Sequence, residues 1–143
     1  MSGMRPQPEI RLARALRAGA LYDWLLAAII LVAHPALFRL FRTPPPVDLF
    51  HFRVNSLALV LLGLLYWETA RDPLGRRWAT RLAALIRFVG GALLILITLA
   101  HRPAGAGTFL AFGMLDFAWG ALLVALLRAG SKKYPPSQGD DGG

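Results

Sequence analysis

The sequence predicts an all-α fold: an integral membrane bundle of four helices, preceded by a short amphipathic helix at the membrane surface. Hydrophobic residues make up 56% of the 143-residue chain, and the mean hydropathy is +0.50. The apolar residues fall in four blocks of about 20 residues, the length that crosses a hydrocarbon layer of ~30 Å. Segments rich in arginine or proline separate these blocks, as expected of the loops between membrane spans.

The N-terminal residues 1–17 are interpreted as a basic segment on the cytoplasmic side. Met1–Pro8 show no periodic pattern and are expected to be disordered. Between Glu9 and Ala20 arginines recur at every third residue on one helical face, while apolar residues lie on another face. This pattern favours a short interfacial helix. A plain positive flank to the first span is the alternative.

Residues 18–128 are expected to form the membrane domain, with spans at about 18–38, 50–67, 82–100 and 108–127. A signal peptide is the rival interpretation of the first span. Asp23 within the apolar run, and the lack of a small-residue cleavage site, argue against it. Thr43–Pro46 predict a stiff turn, because proline cannot continue a helix. Tyr66 and Trp67 end the second span and are expected at the membrane–water interface.

The third helix is expected to begin at Asp72 and Pro73, since aspartate is a common N-cap and proline favours the first helical position. A turn from His101 to Gly107 leads to the fourth span. Residues 129–143 are interpreted as a disordered cytoplasmic tail, because proline, glycine and aspartate dominate its end.

Small residues in the third and fourth spans allow helices to approach closely in lipid: Gly90, Gly91, Gly113 and Gly120. Packing within the bundle and packing between two copies of the chain are both open at this point.

Basic residues are distributed unevenly along the chain. Eleven fall in the N-terminal segment, the loop before the third span and the C-terminal segment, whereas four fall in the other connections. The positive-inside rule therefore places both termini in the cytoplasm. The net charge of +8 then predicts that the chain contacts the anionic lipids of the inner leaflet and does not bind nucleic acid.

Arg87 lies inside the third span, where an ionised guanidinium without a partner costs a few kcal/mol or more. At about 1.5 Å per residue, Asp23 lies at a similar depth, Asp116 lies near the midplane, and Arg53 and Asn55 lie towards the outer side. We therefore expect a polar centre drawn from these five residues. It is a set of buried ionic contacts that fixes the helices, or a site for a small ligand, quinone, lipid headgroup or proton. A third alternative is that some of these side chains snorkel to the interface and are not paired.

The chain has no cysteine, which excludes a disulfide, a thiolate nucleophile and a zinc–thiolate site. It also has no glycine-rich phosphate loop, nucleophile elbow or paired-histidine zinc motif. His34, His51 and His101 lack the spacing that places two ligands on one helix face, so no metal ligand is assigned. Whether the chain is an enzyme, and which cofactor it would use, stay open.

Several short motifs can be compared with known families. They are Tyr22-Asp23, Phe52-Arg53-Val54-Asn55, Arg87 with Gly90-Gly91, and Leu115-Asp116. In size and layout the stretch from Leu21 to Leu127 resembles small four-helix bacterial inner-membrane proteins of the DoxX-like group. The resemblance implies an inner-membrane four-helix bundle, and some relatives are tied to quinone or thiol-redox partners. Without cysteine, this chain has no thiol of its own for such a role.

Three functions are compatible with these observations. The first is a non-enzymatic accessory or scaffold subunit that binds a partner membrane protein or a second copy of itself. The second is a protein that binds a quinone, a lipid or an apolar solute between its helices. The third is a transporter formed by several copies, because four spans are few for a transporter alone.

Overall fold

A computed structural model describes residues 7–42, 44–45 and 49–133, with the backbone alone for Leu37, His51, Phe52 and 131–133. These residues form five helices and no strand. The helices are α1 (Gln7–Val32), α2 (His34–Leu40), α3 (Leu49–Thr69), α4 (Arg77–His101) and α5 (Ala106–Lys133). The predicted all-α class is therefore confirmed.

The four long helices pack as two pairs, α1 with α3 and α4 with α5. The pairs meet where α1 contacts α5 and where α3 contacts α4, so each long helix has two long neighbours. The core is concentrated near the start of α1, the end of α3, the start of α4 and the end of α5. It consists of Leu12, Leu16, Ala20, Tyr66, Ala70, Ala83, Ala84, Leu123 and Leu127.

Three of the described helices are long and apolar enough to cross a membrane: α1, α4 and the part of α5 from Ala106 to Gly130. α3 is not one of the three. Large apolar side chains on these three helices face outwards, with Leu25 63%, Leu96 61% and Met114 63% exposed. A water-soluble domain rarely exposes so many large apolar side chains. The fold is thus compatible with a multi-pass membrane protein.

α1 joins the predicted amphipathic helix and most of the predicted first span into one helix. Leu16, expected on the apolar face of an interfacial helix, is fully buried in the core, while Arg11, Arg14 and Arg17 are exposed. A separate interfacial helix is not confirmed. Residues 7 and 8, expected to be disordered, already belong to α1. Residues 1–6 lie outside the described part of the chain.

The first span ends earlier than the predicted Phe38, because the helix breaks at Ala33. Pro35 has no amide hydrogen to donate, and its ring would clash with the carbonyl of Leu31 one turn earlier. The chain restarts as α2 with Pro35 in its first turn, a position that proline favours. Beyond α2, Pro44 and Pro45 lie outside any helix, whereas Thr43 and Pro46 are not among the described residues.

The two ends of the second helix pair also differ from expectation. Asp72 accepts a hydrogen bond from the Gly75 amide at 2.9 Å and so caps a separate turn, and α4 begins only at Arg77. α5 runs through residues 129–133, which we expected to be disordered. Gly130 is buried in this last turn, where a Cβ would lie 2.9 Å from Leu74 Cδ2. Packing against Leu74 therefore extends the helix; residues 134–143 are not described.

Glycines bring α4 and α5 into backbone contact. A Cβ at Gly91 would lie 2.5 Å from the Phe117 nitrogen, and a Cβ at Gly120 would lie 2.7 Å from the Phe88 nitrogen. A Cβ at Gly113 would lie 3.1 Å from the Gly91 oxygen. The predicted role of these three glycines in close helix approach is confirmed. The fourth, Gly90, points away, with no atom within 4 Å of a Cβ built there.

Trp24 joins α1 to α3 in a similar way. Its indole packs against the backbone of Gly63, where a Cβ would lie 3.0 Å from Cε2. The indole nitrogen donates a hydrogen bond of 3.2 Å to the carbonyl oxygen of Val60. The ring also lies 5.5 Å from that of Trp67, centroid to centroid. The lack of a side chain at Gly63 therefore lets the Trp24 face of α1 pack closely against α3.

Candidate functional site

Arg87 lies near the middle of α4 and is only 4% exposed. Its Nη2 donates a hydrogen bond to Oδ1 of Asp23 in α1. Its Nη1 lies 2.5 Å from Oδ1 of Asp116 in α5, and its Nε donates to the hydroxyl oxygen of Tyr66 in α3 at 3.1 Å. One guanidinium thus bonds to all three other long helices. Its rigid fork of donors permits this, because each nitrogen points in a different direction.

Tyr66 belongs to this site although its position predicted an interfacial role. The side chain is fully buried, and its hydroxyl donates a hydrogen bond of 3.1 Å to the carbonyl oxygen of Ala83 in α4. The interfacial prediction holds better for Trp67, which is 36% exposed and lies 5.9 Å below the Arg17 guanidinium. Tyr66 and Trp67 are neighbours in a helix, so their side chains point about 100° apart. Tyr66 lies on the buried face of α3 and Trp67 on a more exposed face, and this difference separates their roles.

Two tyrosine rings lie close to the guanidinium. The Cζ atom of Arg87 is 5.3 Å from the ring centroid of Tyr66 and 5.4 Å from that of Tyr22. At such distances the negative ring face attracts a cation, and the attraction increases where water is excluded. Tyr22 precedes Asp23 in α1, so α1 provides both an ion-pair partner and an aromatic partner for the same arginine.

The two carboxylates differ in their surroundings. Asp23 is completely buried, whereas 26% of the Asp116 side chain is exposed. Within the described part of the chain, Oδ2 of Asp23 has no hydrogen-bond partner. Two ionised carboxylates and one guanidinium would carry a formal charge of minus one. The arrangement can therefore hold helices together, and it can also accept a proton or a hydrogen-bond donor at Oδ2.

A second buried polar atom lies on the same side of α1. Among the described residues, Nε1 of Trp119 in α5 has no hydrogen-bond partner either. It lies 3.2 Å from the position that a Cβ would take at Gly19. Asp23 follows Gly19 by four residues, and helical side chains lean towards the N-terminus, so its carboxylate faces the same region. An unpaired donor and an unpaired acceptor thus lie along the same face of α1.

Arg53 and Asn55, which we expected in the polar centre, are not brought there. Both are exposed near the start of α3, and Ser56 is the residue that turns inwards. The hydroxyl of Ser56 donates to the carbonyl oxygen of Arg53 at 2.5 Å. Asn55 lines a shallow surface groove of about 630 Å³ with Ile30 and Ile86. Counting residues along a span predicts the depth of these side chains, but it does not predict which way they face around the helix axis.

Three surface grooves among the described residues lie between α4 and α5, beside α3, and under α2. None of these three is lined by Asp23, Arg87 or Asp116. The same residues contain no group of three or more histidine, aspartate or glutamate side chains able to hold a metal ion. The groups that contact the arginine are thus side chains of the other long helices, and these three grooves lie elsewhere on the surface.

No family model, no curated protein and no solved structure matches the chain. The DoxX-like resemblance of the motifs therefore stays a prediction.

Proposed function

We propose that the chain is a non-enzymatic protein of the bacterial inner membrane, an accessory or scaffold subunit built as a bundle of four membrane spans. One observation carries the proposal: the Arg87 side chain bonds to α1, α3 and α5 at once. In lipid no hydrophobic effect holds helices together, so polar contacts and close packing have to do so. A single arginine bonded to every other long helix is suited to fixing such a bundle.

The proposal requires α3 to cross the membrane as the fourth span. At about 1.5 Å per residue, its 21 residues are about 32 Å long. Its outer face is apolar, with Leu57 58%, Leu61 58% and Leu64 48% exposed. It packs between α1 and α4, both of which are long and apolar enough to span a membrane. Arg53 and Glu68 lie towards its ends, where polar residues reach the interface.

The charge distribution supports cytoplasmic termini. Arg17 lies over Trp67, and Leu74 packs against Gly130, so the start of α1, the α3–α4 connection and the end of α5 share one end of the molecule. The exposed basic residues at that end outnumber those at the other end. They are Arg11, Arg14, Arg17, Arg71, Arg76, Arg81 and Arg128. By the positive-inside rule this end faces the cytoplasm.

The proposed structural role of the polar centre can be tested with a triple variant: Asp23→Asn, Arg87→Met and Asp116→Asn. Replacing a buried ionic group by neutral residues of similar volume is often neutral or stabilising, whereas removing one partner is strongly destabilising. The triple variant should therefore unfold at nearly the wild-type denaturant concentration in detergent, and Arg87→Met alone should unfold earlier. Equal losses in both variants would contradict the structural role.

The accessory role needs a separate test in native membranes. Chemical crosslinking of wild-type and triple-variant protein, followed by mass spectrometry, should recover the same membrane partner from both, because the partner is expected to contact the outer surface. Recovery from wild type only would show that the charges themselves are recognised. Crosslinks to random abundant proteins alone would contradict a scaffold role.

A second candidate function is the binding of a small ligand or a proton at the same centre. The unpaired Oδ2 of Asp23 and the unpaired Nε1 of Trp119 favour it, since most buried polar atoms have a partner. Purification in mild detergent, followed by extraction and identification of quinones and lipids, tests this candidate. Wild type should then carry a molecule that Asp23→Asn lacks. Identical extracts from the two proteins would dismiss a tightly bound ligand there.

A further inference from the structure

A groove of about 980 Å³ runs along the outer side of the α4–α5 pair. Four lining residues come from α4, at 81, 84, 85 and 88. Five come from α5, of which 121, 124, 125 and 128 repeat the spacing on α4 and Leu127 is the fifth. Residues at this spacing form one stripe along a helix. Ala84, Ala121 and Ala125 keep the floor low, because their side chains are short. The groove is therefore about 10 Å long, with one stripe of lining residues from each helix along its sides.

Two arginines lie at one end of this groove. Arg81 is in the first turns of α4, and Arg128 is in the last turns of α5. The helices are antiparallel, so both side chains reach the same end, on the side that the charge distribution assigns to the cytoplasm. Phe88 lines the other end, deeper along the apolar part of α4. The groove thus has a cationic mouth and an apolar body.

Among the described residues, neither guanidinium forms an ion pair or a side-chain hydrogen bond. Arg71 and Arg76, by contrast, each lie near a carboxylate: that of Glu68 is 3.1 Å from Arg71 and 3.9 Å from Arg76. The two arginines of the groove are thus available to an anion. Because they lie on two packed helices, the two arginines stay close to one site, whereas isolated arginines on a surface would not.

We propose that this groove binds an anionic phospholipid of the inner leaflet. The phosphate lies between Arg81 and Arg128, and an acyl chain follows the alanine floor towards Phe88. Basic pockets between membrane helices on the cytoplasmic side are known to take such headgroups. The proposal rests on the membrane placement of α4 and α5 given above, and it is independent of the accessory role.

A second copy of the chain is the competing occupant of the groove. Two copies related by a twofold axis along the membrane normal would bring Arg81 and Arg128 of both together at the same depth. The lining residues provide no carboxylate to compensate these four charges. Like charges at one site repel, so the charge pattern favours an anionic lipid over a twofold partner.

The test is lipid titration by native mass spectrometry of the detergent-solubilised full chain, with phosphatidylglycerol and phosphatidylcholine as probes. Wild type should bind phosphatidylglycerol more tightly than phosphatidylcholine. Arg81→Gln/Arg128→Gln should weaken phosphatidylglycerol binding roughly thirtyfold, if each arginine near a headgroup contributes as in surface binding. The control Arg11→Gln/Arg14→Gln removes the same charge from exposed positions at the same end and should change binding less than about threefold.

A second variant tests the apolar body without changing the charge. Ala125→Phe fills the floor at an exposed position and should weaken the binding of both lipids. The proposal would be overturned if the groove double variant and the control double variant lost the same affinity for phosphatidylglycerol. It would also be overturned if Arg81→Gln/Arg128→Gln and Ala125→Phe both bound lipid as tightly as wild type. A wild-type dimer that becomes a monomer in Ala125→Phe would assign the groove to a second copy and would also overturn it.

Discussion

The hydroxyl of Tyr66 lies between two parts of α4: it accepts a hydrogen bond from Arg87 Nε at 3.1 Å and donates one to the Ala83 carbonyl oxygen at 3.1 Å. The α3 helix is thereby attached to α4 at two points one turn apart. The bond to Ala83 also fixes the orientation of the hydroxyl, so its lone pair faces the guanidinium. The position of the arginine thus depends on a neutral residue as well as on the two acids.

Tyr66→Phe tests this dependence. Removing the hydroxyl leaves the buried Arg87 Nε without its acceptor, which should cost roughly 1–3 kcal/mol of unfolding free energy. Tyr22→Phe is the matched control, because the hydroxyl of Tyr22 forms no hydrogen bond to the described residues of the centre. Denaturant titration in mixed micelles measures both. Equal stability of the two variants would remove Tyr66 from the centre.

Arg87→Ala should be among the most destabilising substitutions in the chain. It leaves the buried carboxylate of Asp23 without its cation, a loss of about 3–5 kcal/mol for a buried pair. Arg81→Ala, on the same helix but exposed, should change stability by less than about 1 kcal/mol. Unchanged thermal melting of Arg87→Ala in nanodiscs would refute the pairing.

Asp23→Asn and Asp116→Asn should not be equivalent. Asp23 is fully buried, whereas Asp116 keeps 26% of its side chain exposed and can be solvated in part. Asp23→Asn should therefore lower the unfolding free energy more, with a coupling to Arg87 of about 0.5–3 kcal/mol in a double-mutant cycle. A larger coupling for Asp116 than for Asp23 would reverse the assignment of the principal partner.

Gly91→Ala and Gly90→Ala form a matched pair of neighbouring substitutions. The new methyl group at Gly91 would meet the backbone of α5 at 2.5 Å, so the helices must separate, at a cost of about 1–3 kcal/mol. At Gly90 the methyl group meets nothing within 4 Å, and the better helix propensity of alanine should stabilise by about 0.5–1 kcal/mol. Opposite signs in thermal melting are expected; equal signs would contradict the observed contact of α4 and α5.

Removing Arg76, Arg77 and Arg81 together by Gln substitution should disturb the orientation of the chain in the membrane. The positive-inside rule acts through basic residues close to the span ends. A C-terminal reporter active only outside the cytoplasm should gain activity in this variant and stay silent when Arg39, Arg42 and Arg53 are replaced instead. A reporter that stays cytoplasmic in the first variant would count against these arginines as topology signals.

The acidic partners of Arg87 were accessible to sequence reasoning because one physical cost dominates there. A guanidinium in hydrocarbon needs an anion, and Asp23 and Asp116 are acids at comparable depth in predicted spans. Tyr66 was missed because tyrosine at a helix end is equally typical of the interface. Its burial depends on the register of α3 against α4, which no local pattern records.

Other differences have local causes. The break at Ala33 was available from Pro35, whose ring acts one turn upstream, but the apolar run continues through it and hid the helix end. Arg53 and Asn55 were assigned by depth alone, while the structure turns them outwards on α3. The continuation of α1 back to Gln7 depends on the tertiary packing of Leu12 and Leu16. The local pattern of an amphipathic segment does not record such packing, although packing supplies most of a helix's stability in a protein.

The order of the charged residues along the chain has a consequence for biosynthesis. Asp23 precedes Arg87 by 64 positions, and Asp116 follows it by 29. In the proposed membrane bundle, insertion in chain order would place the first anion in the bilayer before the cation enters, and the second anion would then enter beside that cation. The guanidinium would thus always have a counter-ion upstream of it in the nascent polypeptide.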